Sequence, residues 1–144
     1  MSIIQLSTFL ENSPGRLCGI TRVLRENGVD IRSMCISETT RYGVLRMIVK
    51  EPEKASEILK ENGFSVTENK VVAVMVDDAP GGLNALLEAF DKTGLSIEYM
   101  YDFVGRAKGN KACVVFKASS NDTAEKICTE NGFTLITPDD IQEL

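Results

Sequence analysis

The chain has 144 residues, a net charge of −5 and a sequence pI of about 4.8, and 43% of its residues are hydrophobic. Binding to nucleic acid or to an anionic membrane needs clustered Lys and Arg, so this acidic composition argues against both partners. The sequence has no histidine, no signal peptide and no apolar run of membrane-spanning length, and we therefore expect a cytoplasmic protein that is not an enzyme.

The first strand and the first helix are predicted from the spacing of apolar residues. An apolar run at residues 3–10 predicts a strand, which is broken by the turn signal Pro14-Gly15. Beyond that break, four residues recur at the spacing of a buried helix face: Leu17, Ile20, Thr21 and Leu24. Gly28 occupies the position at which a helix commonly ends in a left-handed residue.

Two strands, a second helix and a last strand are predicted to follow. Residues 29–37 and 44–49 fit strands joined by a turn, and the first of these is expected at a sheet edge. Pro52 suits the first turn of a helix that Gly63 would end. The stretch from Phe64 to Val76 contains neither proline nor glycine, so this strand is expected to lead almost directly into the next one.

The second half of the chain repeats the first. Asn12-Ser13-Pro14-Gly15-Arg16-Leu17 recurs as Asp78-Ala79-Pro80-Gly81-Gly82-Leu83, and Glu61-Asn62-Gly63-Phe64 recurs letter for letter as Glu130-Asn131-Gly132-Phe133. Such a repeat indicates two copies of one small domain, expected at residues 1–70 and 71–144. The predicted fold is α+β, with two ferredoxin-like βαββαβ units, each an antiparallel four-stranded sheet with both helices on one face.

The cysteines give no sign of a disulfide framework. They are Cys18, Cys35, Cys113 and Cys128. None belongs to a Cys-x-x-Cys pair, and each falls among apolar residues. We expect buried free thiols, with no metal and no cofactor.

The Pro-Gly turn precedes a predicted helix in both copies. Proline restricts φ near the helix start, and glycine lets another backbone approach closely. The N–H groups of the first helical turn can then bind a carboxylate or a phosphate. A purely structural turn is the alternative, but two turns in register, in a chain without a catalytic motif, favour a ligand site. Asn12 would add a side-chain amide to that site.

The repeated pattern resembles the ACT domain. The pattern is a strand, Asn/Asp-x-Pro-Gly-x-Leu, a helix, Gly-hydrophobic-Asn/Asp/Ser-Ile and a further strand, and it covers both copies. ACT domains bind small molecules, mostly amino acids, and regulate metabolic enzymes. The resemblance implies a regulatory tandem ACT protein that binds an amino acid at the interface between ACT units. It also implies a homodimer, with a metabolic enzyme as the regulated partner.

The resemblance assigns ligand-binding residues by position. In the first copy these are Asn12, Ser13, Pro14, Gly15, Arg16, Leu17 and Asp30. In the second copy they are Asp78, Pro80, Gly81 and Ser96. Asn12 and the helix-start amides are expected to meet the carboxylate of the ligand, and Asp30 its ammonium group. Asp78 and Ser96 depart from the family pattern, so we expect two unequal sites.

Three other interpretations remain open for this topology. An RNA-recognition domain would need exposed aromatic residues on its two central strands, and the stretch Gly43–Val49 contains none. A structural adaptor would use ACT-like pairing to join subunits without any ligand. The scaffold by itself also suits enzymes.

The basic stretch Gly105–Lys111 is interpreted as a solvated hairpin tip rather than a phosphate-binding loop.

Overall fold

The computed structural model describes residues 2–11, 13–38, 41–103 and 109–143. The chain divides into two compact units, termed here the first unit, Ile4–Asn69, and the second unit, Met1–Ile3 with Lys70–Leu144. The domain boundaries expected from the repeat, 1–70 and 71–144, stay a prediction. The stretch 105–108, which was interpreted as part of a hairpin tip, lies outside the described residues.

The first unit follows the predicted order of elements. Its elements are β1 (Ile3–Glu11), α1 (Arg16–Glu26), β2 (Ile31–Glu38), β3 (Tyr42–Val49), α2 (Pro52–Glu61) and the start of β4 (Val66–Asp77). β3 pairs antiparallel with both β1 and β2, and β2 lies at the edge, as predicted. β4 begins in this unit and ends in the second, which confirms that one strand leads directly into the next.

The second unit repeats this arrangement around the end of β4. Its further elements are α3 (Gly82–Asp91), β5 (Ile97–Asp102), β6 (Lys111–Ala118), α4 (Asn121–Glu130) and α5 (Pro138–Glu143). β6 pairs antiparallel with β4 and with β5. The α+β class is therefore confirmed, and the element order repeats as far as α4.

The end of the chain differs from the prediction. Instead of a full last strand, a short bridge joins Leu135 to Val74 of β4. The short helix α5, which was not predicted, then follows. Thr137 and Asp140 start this helix as a capping box, because the Asp140 N–H donates to Thr137 Oγ1 at 3.2 Å and the Thr137 N–H donates to Asp140 Oδ2 at 2.7 Å.

Each unit buries one face of its helices against its own strands. In the first unit, Ile20 and Leu24 of α1 are fully buried, as the spacing predicted. In the second, Leu86 and Phe90 of α3 are buried, and the Phe90 and Phe116 ring centroids lie 5.4 Å apart. The remaining residues at these helical positions are not buried: Leu17 and Thr21 on α1, and Leu83 and Leu87 at the equivalent positions of α3.

The expectation of four buried thiols is wrong for two of them. Cys113 and Cys128 are buried, whereas Cys18 is exposed and Cys35 has intermediate exposure. Cys18 lies off the buried face of α1, and its Sγ accepts a hydrogen bond from Arg22 Nη2 at 3.5 Å. Burial raises the pKa of the Cys113 thiol to about 12. Burial, and then the nearby Glu125 carboxylate, raise the pKa of Cys128 to about 11.

No helix in the part of the chain that the structure describes is long and apolar enough to cross a membrane.

Candidate functional site

The Pro-Gly motif of the second unit forms a tight turn between β4 and α3. Gly82 donates its N–H to the Ala79 carbonyl at 3.0 Å, and Gly81 has φ 88° and ψ −8°. Proline followed by a glycine with positive φ is the signature of a type II turn. The helix consequently starts at Gly82, after the proline rather than at it.

Gly82 brings the start of α3 against the end of β4. A Cβ atom added at Gly82 would lie 1.9 Å from the backbone oxygen of Asp77, so no side chain fits there without a backbone shift. In the first unit the equivalent first helical residue is Arg16, which carries a long side chain. The two copies therefore differ at the residue that begins the helix.

Among the residues that the structure describes, no side chain caps either motif helix. Gly15 and Gly81 are the N-cap residues of α1 and α3, and neither helix has an acidic residue in its first turn. The first N–H groups of a helix lack partners within the helix and carry a partial positive charge. Both helix starts are therefore suited to bind an anionic group such as a carboxylate.

The larger of the two cavities beside these turns lies in the second unit and has a volume of about 630 Å³. Its charged lining residues are Asp77, Asp78, Asp102 and Lys111. Lys111 Nζ forms an ion pair with Asp77 Oδ1. Apolar side chains complete the wall, among them the buried Val76 and Phe103. The cavity thus presents both signs of charge beside an uncapped helix start.

The equivalent cavity in the first unit has a volume of only about 120 Å³. Ser13, Arg16 and Leu17 line it from the turn and the helix start, together with Ile36 and Glu38 at the end of β2. The Arg16 guanidinium also lies over the Phe64 ring, 5.6 Å from the ring centroid. Here a side chain of the protein occupies the space beside the helix start.

The structure groups some of the predicted site residues and separates others. Ser13, Arg16 and Leu17 share the small cavity beside Pro14 and Gly15, and Asp78 and Pro80 share the large cavity beside Gly81. Asn12 lies outside the described residues.

Asp30 and Ser96 are not brought to the turns of their own units. Asp30 precedes β2, whose 8 residues span roughly 25 Å at ~3.3 Å per residue, and the far end of β2 is the end beside the turn. Its carboxylate pairs with Arg32 Nη1 at 3.0 Å and lies 3.9 Å from Lys50 Nζ. Ser96 occupies the equivalent position before β5, where its N–H donates to Ser119 Oγ at 3.3 Å. Within one unit, Asp30 is therefore not placed beside the Pro-Gly turn.

Sequence reasoning missed Asp102 and Lys111. Asp102 ends β5 and Lys111 begins β6, and the pairing of Asp77 with Lys111 brings that strand end beside the turn. Lys111 had been placed at the end of the stretch interpreted as a solvated hairpin tip, without any role in a site. Strand register was the missing information, since neither residue belongs to the repeated motif.

Among the described residues, no group of three or more His, Cys, Asp or Glu side chains could hold a metal ion.

Comparisons with known proteins place these observations in a family. The family model described as "ACT domain pair" matches residues 1–144. Protein BT0572 from Bacteroides thetaiotaomicron is 38% identical, with a TM-score of 0.92, and the match covers 100% of this chain and 98% of that one. The ligand-free regulatory subunit of aspartate kinase from Thermus thermophilus is 16% identical, with a TM-score of 0.64 and coverage of 90% and 92%. No significant match was found among curated proteins.

Proposed function

The chain belongs to the ACT domain pair family, and on that premise we propose that it is a non-enzymatic regulatory protein that binds an amino acid. Membership of the family supports a ligand-binding regulatory role. The similarity to the aspartate kinase subunit, at 16% identity, shows the fold alone. The identity of the ligand and the cytoplasmic location belong to the proposal.

The cavity at the start of α3 is the single observation that carries this proposal. A free α-amino acid bears a carboxylate and an ammonium group, and the cavity offers a partner for each. The uncapped helix start and the Lys111 ammonium suit the carboxylate. The Asp78 and Asp102 carboxylates suit the ammonium group. The apolar side chains in the wall would contact the side chain of the ligand.

Regulation would follow from a difference in affinity between two conformations. An amino acid that binds one conformation more tightly shifts the population towards it, and a partner enzyme could respond to that shift. Completion of the site by a second ACT unit, as the family resemblance implied, stays a prediction.

The first test is a thermal-shift screen of the twenty common amino acids. At a concentration 100-fold above Kd, the bound amino acid should stabilise the folded protein by about 2.7 kcal/mol. For a chain of 144 residues, this corresponds to a rise in Tm of several degrees. An unchanged Tm with all twenty amino acids at millimolar concentration would instead favour the adaptor.

The edge strand of the first unit supports both the proposed homodimer and the adaptor alternative. β2 exposes two apolar side chains: Met34 is 37% accessible to solvent and Ile36 is 44% accessible. An apolar edge strand can pair with a second chain. We therefore expect light scattering at micromolar concentration to give about twice the monomer mass of 15.8 kDa. A mass equal to the monomer at every concentration would show that this edge does not join two chains.

The RNA-binding alternative has one observation in its favour that the sequence did not predict. β3 begins at Tyr42, and both Tyr42 and Phe9 of β1 are more than half exposed. Phe9 pairs with Val44 and Glu11 with Tyr42, so the two aromatic side chains lie on the same face of the strands. The net charge of −5 opposes a polyanion. The test is a gel shift with single-stranded RNA at low salt, in which we expect no shift.

A further inference from the structure

We propose that this protein binds one amino acid per chain, in the second unit only, and that Asp102 and Lys111 provide the affinity that the first unit lacks. The inference rests on the proposed function and narrows it, because the repeat by itself predicts two sites. It is based on a comparison of equivalent residues in the two units, which differ at three positions beside the cavity: the first helical residue, the start of β3 or β6, and the end of β2 or β5.

Strand pairing defines the equivalent residues. In the first unit, Glu11 of β1 pairs with Tyr42 of β3 on the rung next to the Pro-Gly turn. In the second unit, Asp77 of β4 pairs with Lys111 of β6 on the corresponding rung. Lys111 therefore stands where the first unit has Tyr42.

The same comparison relates the ends of the two outer strands. Ile36 of β2 pairs with Leu45, and Asp102 of β5 pairs with Val114. Leu45 and Val114 are equivalent core residues of β3 and β6, so Asp102 stands where the first unit has Ile36. Both Ile36 and Asp102 line the cavity of their own unit.

These replacements remove one ammonium group and one carboxylate from the equivalent positions of the first unit, whose small cavity is lined instead by Arg16, Glu11 and Glu38. Tyr42 has no positive charge to attract a carboxylate, and Ile36 has no carboxylate to accept hydrogen bonds from an ammonium group. Glu38 does line the small cavity, but it does so alongside Arg16. The first unit therefore lacks the Asp102 and Lys111 pair that the second unit presents.

The helix start adds a difference in space. Gly82 has no side chain, whereas Arg16 lines the small cavity and extends over Phe64. The volumes agree with this difference, at about 120 Å³ in the first unit and about 630 Å³ in the second. Typical ligand pockets have volumes of ~300–1,000 Å³. The second cavity falls in that range, and the first is too small.

The test is isothermal titration calorimetry with the twenty common L-amino acids on the full chain and on two matched variants. We expect a stoichiometry of one amino acid per chain for whichever amino acids give heat. Asp102→Asn removes one charge from the large cavity and should raise Kd by about tenfold or more, as expected for the loss of a charge-assisted hydrogen bond. Glu38→Gln removes one charge from the small cavity and should leave Kd unchanged.

The outcomes separate this inference from the function on which it rests. Two amino acids bound per chain would overturn the inference and leave the proposed function standing. The inference would also be overturned, and the proposed function would stand, if Glu38→Gln weakened the affinity while Asp102→Asn left it unchanged. The ligand would then occupy the first unit. No heat with any of the twenty would overturn both. Asp102 and Glu38 are exposed, so both variants should keep the Tm of the parent protein. A further variant, Lys111→Met, removes a positive charge from the large cavity and should also weaken amino-acid binding.

Discussion

Replacing Phe90 with alanine is expected to lower the free energy of unfolding by about 3–5 kcal/mol. Phe90 is 2% exposed at the end of α3, and its ring packs against Phe116 of β6. The substitution removes buried apolar surface and leaves a cavity that the surrounding residues can fill only in part. Because α3 begins at the candidate site, the variant should also bind amino acid more weakly wherever it remains folded.

The matched control is Leu87→Ala on the same helix. Leu87 is 37% exposed, so its truncation should cost about 1 kcal/mol or less. Urea unfolding followed by circular dichroism measures both free energies. Equal losses in the two variants would contradict the position of Phe90 in the core of the second unit.

Replacing Gly82 with alanine is expected to lower the free energy of unfolding by about 1–3 kcal/mol, as for other overpacked positions. The added Cβ would meet the Asp77 backbone oxygen at 1.9 Å, and backbone cannot move aside as a flexible side chain can. The start of α3 would have to shift away from β4. We therefore expect the variant to lose affinity for amino acid by more than its loss of stability explains, measured by calorimetry at a temperature where it is fully folded.

The matched control for Gly82 is Gly19→Ala inside α1. A Cβ at Gly19 would have Phe64 Cζ as its nearest neighbour, at an ordinary contact distance of 3.7 Å. Alanine is the better helix former, so this variant should be more stable by up to about 1 kcal/mol. The two substitutions are chemically identical, and we expect effects of opposite sign. Stabilisation by Gly82→Ala would show that the helix start does not lie against Asp77.

The fold could be predicted because the sequence contains the same pattern of elements twice. The spacing of apolar residues on α1 and α3 and the repeated Pro-Gly turn each indicated the same element in both copies. The ends of elements were harder to predict. α5 was missed because Thr137 and Asp140 form a capping box over a very short segment, and the last strand was overestimated because only Leu135 forms a bridge with β4.

The candidate site was only partly predictable. The repeated motif located the turn and the helix start with its free N–H groups, which depend on neighbouring residues in the sequence. Asp102 and Lys111 reach the cavity only through strand pairing, which the motif does not encode. For Asp30 the motif suggested a role that strand geometry does not support within its own unit. Its position in the motif predicted a ligand-binding residue, whereas in the structure it lies beside the end of β2 that is far from the turn and pairs with Arg32.

The central claim is that an amino acid binds in the second unit, beside the start of α3. The most direct measurement is a two-dimensional ¹H–¹⁵N NMR titration of the full chain with the amino acid that gives the largest thermal shift. We predict the largest changes at the amides of Leu83, Asn84 and Lys111, with much smaller changes at the amides of Leu17 and Cys18 of α1. Changes concentrated at α1, with the amides of α3 unaffected, would contradict this account.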